Sequence, residues 1–150
     1  MTIRPAHPSE AAALTDLAIR SKASWGYDAA FMEKARPDML VSAGDIERAH
    51  CLLAEEHGTI CGYVLTFIDG EYAFLRDLFI EPAHFKRGLG SDLFRRAIDE
   101  AKARGAHRLT LHADPNARAF YEHFGMHCTG ETPSIIGNGR TLPIMQLVLC

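Results

Sequence analysis

Two short segments of the chain combine residue types that could do chemistry. The first is Lys86-Arg87-Gly88-Leu89-Gly90-Ser91, between a strand end and a helix start. Glycines at such a junction let the backbone turn tightly and approach a ligand with no Cβ in the way. The free N–H groups of the helix's first turn then face outward at the positive end of its dipole. Together these make a site for a pyrophosphate or similar anion, with Lys86 and Arg87 adding charge at its edge. Rival phosphate motifs fit worse. A Walker loop ends in Gly-Lys-Ser/Thr, whereas Ser91-Asp92 follow Gly90. A dinucleotide fingerprint needs a third small residue where Leu93 stands.

The second segment runs Asp114-Pro115-Asn116-Ala117-Arg118-Ala119-Phe120-Tyr121-Glu122-His123-Phe124-Gly125-Met126. On a helix, Ala117, Phe120, Tyr121 and Phe124 share one broad apolar face. Tyr121 therefore has two readings, a core tyrosine or a hydroxyl presented to a reacting group. Asn116 is either a cap or a ligand contact.

The elements that must position these segments follow from periodicity. Thr2 to Arg4 is a short extended segment. Pro8-Ser9-Glu10 opens a helix through about Lys22, and Asp28 caps a second helix over Ala29 to Ala35. His50 to Glu55, Ile60 to Ile68 and Glu71 to Ile80 read as three antiparallel strands, the last two joined at Asp69-Gly70. The glycine segment leads into a helix to about Arg104, closed by Gly105. His107 to His112 alternates as a strand, and Pro115 sits in the first turn of a short helix. Met126 to Glu131 and Leu142 to Leu149 are the final strands. The order β-α-α-β-β-β-α-β-α-β-β predicts one mixed α/β domain over residues 1–150.

Composition narrows the function classes. The chain is 47% hydrophobic and 23% charged, ordinary for a protein with a real core. A net charge of −3 offers no basic field for nucleic acid or an anionic membrane. No stretch approaches the roughly 20 apolar residues of a membrane span, and the first residues lack a secretory apolar run. Cys51, Cys61, Cys128 and Cys150 are scattered, with no CxxC, and the eight histidines form no HxH or HExxH. Reduced thiols in the cytoplasm and no metal are the expectation.

Taken together, Leu75-Arg76-Asp77-Leu78-Phe79-Ile80-Glu81-Pro82, the Phe85–Gly90 stretch opening a helix, and Asn116-Ala117-Arg118-Ala119-Phe120-Tyr121-Glu122-His123-Phe124-Gly125-Met126 resemble the GNAT superfamily of acyl-CoA-dependent N-acyltransferases. The resemblance implies an α+β fold: a mixed, mostly antiparallel sheet of six to seven strands flanked by about four helices. It implies acetyl-CoA as co-substrate and an amine as acceptor. By the same resemblance, the amides around Arg87, Gly88, Leu89, Gly90 and Ser91 hold the CoA pyrophosphate. Leu78-Phe79-Ile80 aligns the pantetheine arm, Asn116 contacts that arm, and Tyr121 stands beside the thioester sulfur. Phe85 departs from the family, which usually has Gln or Arg there. Dimerisation is common in the family, so the resemblance admits a homodimer.

Amine attack on a thioester needs a neutral amine, a polarised carbonyl and a leaving thiolate that gains a proton. Tyr121 is the expected acid. For the base the sequence offers Asp77, the fallbacks Glu55 and Glu56, or a bound water. The polyamine-acetylating branch of the family shows a Glu-Asp pair where this chain reads Arg76-Asp77. On the acceptor side, Trp25 and Tyr27 lie in the loop between the first two helices, and Arg140 follows Gly137-Asn138-Gly139. The aromatics could stack on an acceptor, or Trp25 could pin the loop to the core. Arg140 could clamp a carboxylate or decorate a turn. The leading expectation is transfer to a primary amine of a small or amino-acid-like molecule. The alternatives are a protein or peptide N-acetyltransferase, and a CoA-binding sensor without turnover.

Overall fold

A computed structural model describes residues 1–150. Seven strands form one sheet: β1 (Thr2–Pro5), β2 (His50–Glu56), β3 (Thr59–Asp69), β4 (Tyr72–Ile80), β5 (Arg108–His112), β6 (His127–Pro133) and β7 (Thr141–Val148). Five α-helices accompany them: α1 (Ala11–Ala23), α2 (Ala29–Ala35), α3 (Ala43–Arg48), α4 (Leu89–Ala103) and α5 (Arg118–His123). The sequence predicts about four helices; the extra one is α3. Its signal is local, since Ser42 and Asp45 form a capping box in which each side chain accepts the other's backbone N–H at 3.0 Å.

The strand order is β1-β2-β3-β4-β5-β7-β6, antiparallel throughout except for β4 beside β5. A parallel neighbour requires a crossover, and α4 supplies it. α4 keeps a strong apolar stripe, Leu89, Leu93, Phe94, Ala97 and Ala101, all buried. That stripe packs with Leu52, Val64, Leu75, Leu109 and Met145 on one face of the sheet. The opposite face carries Leu14, Leu17 and Ala18 of α1 and Ile46 of α3, against Leu53, Tyr63 and Leu65.

Two irregularities in this sheet create the site. First, the parallel pairing of β4 with β5 covers only Tyr72, Ala73 and Phe74 against Arg108, Leu109 and Thr110. Beyond Phe74 the two strands part, and β4 continues to Ile80 with its β5 side unpaired. Second, Leu65 faces Asp77 while Thr66 faces Leu75, so Arg76 is an extra residue. Such a bulge shifts the alternation by one. Ala73 and Leu75 lie on the α4 face, but Asp77 and Phe79 turn to the α1 face, opposite Leu65 and Tyr63.

Candidate active site

The gap between β4 and β5 opens into a cavity of about 580 Å³. It runs from the start of α4, past Leu75–Ile80 and α5, to the α1–α2 loop and the β6–β7 hairpin. Gly88 caps α4 in the left-handed conformation at φ 80°, and no side chain bonds to the helix's first amides. Lys86 is also left-handed at φ 63°, an uncommon state for a residue with a Cβ. The turn therefore presents the free N–H groups of a 15-residue helix to the cavity. These residues fit the diphosphate of CoA: Lys86, Gly88, Leu89, Gly90 and Ser91 all line that end. Arg87 is exposed and lies outside the lining.

Gly62 brings β3 close beneath this turn. A Cβ there would stand 2.7 Å from Ile80 Cδ1 and 3.1 Å from the Phe79 carbonyl oxygen. Only glycine lets β4 and Leu89 pack this tightly.

Tyr121 and Asp77 line the middle of the same cavity. Tyr121 is 7% exposed, with its ring edge-on to Phe94 and Phe120 at 5.4 and 5.1 Å. Its hydroxyl makes no hydrogen bond within the protein. Burial pushes the phenol well above its ordinary pKa, and the charges of Asp77 and Asp114 push the same way.

Asp77 is 4% exposed. Its Oδ2 accepts from the Tyr63 hydroxyl at 2.9 Å and from Arg76 Nη2 at 3.1 Å, and its Oδ1 accepts from Arg76 Nε at 3.3 Å. Burial raises its pKa, outweighing the lowering effects of Arg76 and Tyr63. Arg76 also donates to Asp45 of α3 at 3.0 Å and to the Leu40 carbonyl at 2.9 Å. Every nitrogen of this guanidinium has a partner, so Arg76 anchors α3 and the preceding turn to the bulge.

The fallback carboxylates lie elsewhere. Glu55 is bonded by Arg4, which also holds Glu10, and Glu56 sits beside His84; neither lines the cavity.

At the far end of the cavity, Lys22, Tyr27, Asn116 and Arg140 gather around the Asp114 carboxylate. Asp114 accepts from Lys22 Nζ at 3.0 Å, from the Tyr27 hydroxyl at 2.9 Å, and from the backbone and side-chain N–H groups of Asn116 at 2.9 Å. The Tyr27 oxygen accepts from Asn116 Nδ2 and Arg140 Nη2, both at 2.9 Å. Burial opposes ionisation of Asp114, but Lys22 and these donors together hold its pKa below the usual value. Arg140 also lies over the Phe31 ring at 4.9 Å and donates to Ser134. Trp25 is 49% exposed and stacks on Phe85 at 6.4 Å. Tyr27, not Trp25, therefore ties the loop down. Trp25, Lys22, Arg140 and Asn116 line the cavity; Tyr27 stands behind it.

Asp114, Lys22 and Tyr63 did not stand out as site residues in the sequence, because each gains its role from partners far along the chain. Only the Asp114–Asn116 turn had a local signal, an Asp two residues before the amide it bonds.

A sheet splayed beside a glycine turn, with a buried tyrosine in the gap, defines a class that sequence comparison names. The sequence profile of the acetyltransferase (GNAT) family matches residues 13–126, and the chain belongs to that family. A Bacillus subtilis protein, provisionally named a ribosomal protein bS18-alanine N-acetyltransferase, is 33% identical over 85 residues, 55% of this chain and 56% of that one. An L-methionine sulfoximine/L-methionine sulfone acetyltransferase of Salmonella typhimurium is 31% identical over 109 residues, 65% of this chain and 64% of that one. The matches thus span less than two thirds of either relative's length. The crystal structure of the PaiA N-acetyltransferase of Thermoplasma acidophilum, in complex with coenzyme A, superposes with a TM-score of 0.80. It covers 98% of each chain at 20% identity, a likeness of fold. No helix is long and apolar enough to cross a membrane.

Proposed function

We propose that this protein moves the acetyl group of acetyl-CoA to a primary amine of a small, amino-acid-like acceptor, by direct attack in a ternary complex. The observation that carries the reading is the single cavity joining the uncapped amides of α4 to Tyr121, Asp77 and the Lys22–Arg140 end.

The diphosphate lies on the α4 turn, and the pantetheine arm runs along the unpaired edge of Leu78–Ile80. A backbone N–H of that edge receives the thioester carbonyl oxygen as charge develops. Alkyl ammonium groups must lose a proton before attack. Asp77 takes it, directly or through a water, and its raised pKa makes it a better base than an ordinary aspartate. The N–C bond forms, the C–S bond breaks, and the sulfur leaves as a thiolate beside the Tyr121 hydroxyl. Tyr121 donates its hydrogen bond to that sulfur, and the remaining amine proton reaches it through the same hydroxyl. The products are an amide and CoA thiol.

The acceptor class rests on the Asp114 network. Tyr27 of the α1–α2 loop, Asn116 ahead of α5 and Arg140 beside β7 are bonded to one another. These bonds tie the α1–α2 loop, the start of α5 and the β6–β7 hairpin together at one end of the cavity, which favours a small acceptor. Lys22 and Arg140 bring two cationic groups against one carboxylate, leaving a net positive edge that suits an acceptor carboxylate. A cytoplasmic location accords with four unpaired thiols.

The test is acetyl-CoA binding and thiol release against amino acids, neutral amines and short peptides. Release with amino acids and not peptides is the expected result. Release with peptides alone would overturn the acceptor assignment, and binding without release on any acceptor would indicate a sensor.

A further inference from the structure

At the rim of the cavity, whose lining includes His84, the fold gathers three potential metal ligands from separate segments. Glu56 ends β2, Cys61 lies near the start of β3, and His84 closes the short turn after β4. One ligand atom from each lies within 4.8 Å of the others, and His84 Nε2 is 3.4 Å from Glu56 Oε2.

Each residue reaches this place for an identifiable reason. Gly62 pairs with Ala54 while Ile60 pairs with Glu55, so Cys61 is the extra residue of a bulge, a device that re-aims a side chain. The backbone N–H of Glu81 bonds to the Cys61 carbonyl at 2.8 Å, fixing the end of β4 against it. The turn that follows places His84 over the same spot, and Arg20 grips Glu81 through two bonds of 2.8 and 2.9 Å.

Cys61 is 1% exposed, and its Sγ donates to the Thr59 carbonyl at 3.3 Å. One feature does not suit a plain core contact. The His84 Nδ1 atom is buried without a partner. Buried polar atoms are nearly always satisfied, so this imidazole lacks a partner that its surroundings should supply; its other nitrogen, Nε2, is the one that faces Glu56 at 3.4 Å.

We propose that Glu56, Cys61 and His84 form a binding site for a soft divalent cation of the zinc type. Mixed sulfur, imidazole and carboxylate ligands select that class, and three protein ligands leave a fourth position for water. Bond lengths of roughly 2.0–2.3 Å place tetrahedral ligands roughly 3.3–3.8 Å apart. The His84–Glu56 pair already meets this, and the thiol closes the remaining distance as it binds. Binding exchanges the Cys61 S–H proton for a sulfur–metal bond and releases the proton to solvent, so affinity rises with pH. A filled site would join the β2–β3 hairpin to the turn one residue ahead of Phe85, stiffening the edge of the cavity without taking part in transfer.

Cobalt(II), a coloured stand-in for zinc, tests this on the full chain after chelator and reductant treatment. Saturable one-to-one binding is expected, with visible bands of a tetrahedral ion and a near-ultraviolet sulfur-to-metal band, both erased by added Zn²⁺. Cys61→Ser should abolish the sulfur band, its fold checked by circular dichroism. His84→Ala, at a half-buried turn position, should weaken binding more than about tenfold. His57→Ala, in the exposed hairpin turn, should leave binding unchanged. Absence of the sulfur band in the native chain, or unchanged binding in His84→Ala, would overturn the site.

Discussion

Tyr121→Phe separates a reacting hydroxyl from a packing ring. The ring's contacts with Phe94 and Phe120 survive, because phenylalanine fills the same space. The hydroxyl has no partner in the protein, so its removal strands no other group, and the melting temperature should stay within about 2 °C of the native value. In the reaction, the variant loses one hydrogen bond to a developing thiolate. A bond to a charged group contributes about 1.5–3 kcal/mol, which converts to a fall of about 10- to 150-fold in kcat. The ground-state thioester sulfur is a poor acceptor, so the Kd for acetyl-CoA should not change. The assay is thiol release under saturating substrates, with acetyl-CoA affinity by calorimetry. Burial raises this phenol far above its ordinary pKa, so the native enzyme should show no alkaline fall from Tyr121 up to pH 10. An unchanged kcat would refute the role, and a parallel loss of acetyl-CoA affinity or stability would make Tyr121 a binding or packing residue.

Asp77→Asn should lower kcat by about 100-fold or more, and thiol release should lose the pH dependence the carboxylate confers. The native carboxyl also makes stability depend on pH. The folded carboxyl titrates above its unfolded value, so the native state holds the proton longer and stability falls as pH rises through that window. At neutral pH the variant can still accept from Tyr63 but loses one of the two oxygens that face Arg76, so it should melt lower than the native chain. Glu10 behaves in the reverse way: Arg4 holds its pKa down to about 2. That contribution is present above pH 4.5 and is lost as pH falls toward 2. Arg4→Gln should cost about 1 kcal/mol at pH 7, a difference that shrinks toward pH 3 in urea unfolding. Gly62→Ala should destabilise by about 1–3 kcal/mol, read as a lower urea midpoint, because the new methyl meets Ile80 and the Phe79 carbonyl.

What the sequence determined by itself is local in origin. A glycine turn followed by an amphipathic helix specifies the anion-binding end, because backbone conformation and a 3.6-residue stripe are written in consecutive residues. The same holds for the helix that carries Tyr121 and for the meander that leads to both. α3 is missed, although Ser42 and Asp45 carry a local capping signal for it. Only the tertiary structure decided which face Asp77 takes, since strict alternation would set it beside Ala73 and Leu75, and the bulge at Arg76 depends on pairing with β3. It also decided where β4 and β5 part, which follows from how α4 returns the chain to the sheet. Asp114 meets Lys22, Tyr27 and Arg140, and Glu56 meets Cys61 and His84, only once distant segments pack. Spacing along the chain cannot encode those meetings, because each distance is set by the packing of elements whose own sequences do not refer to one another.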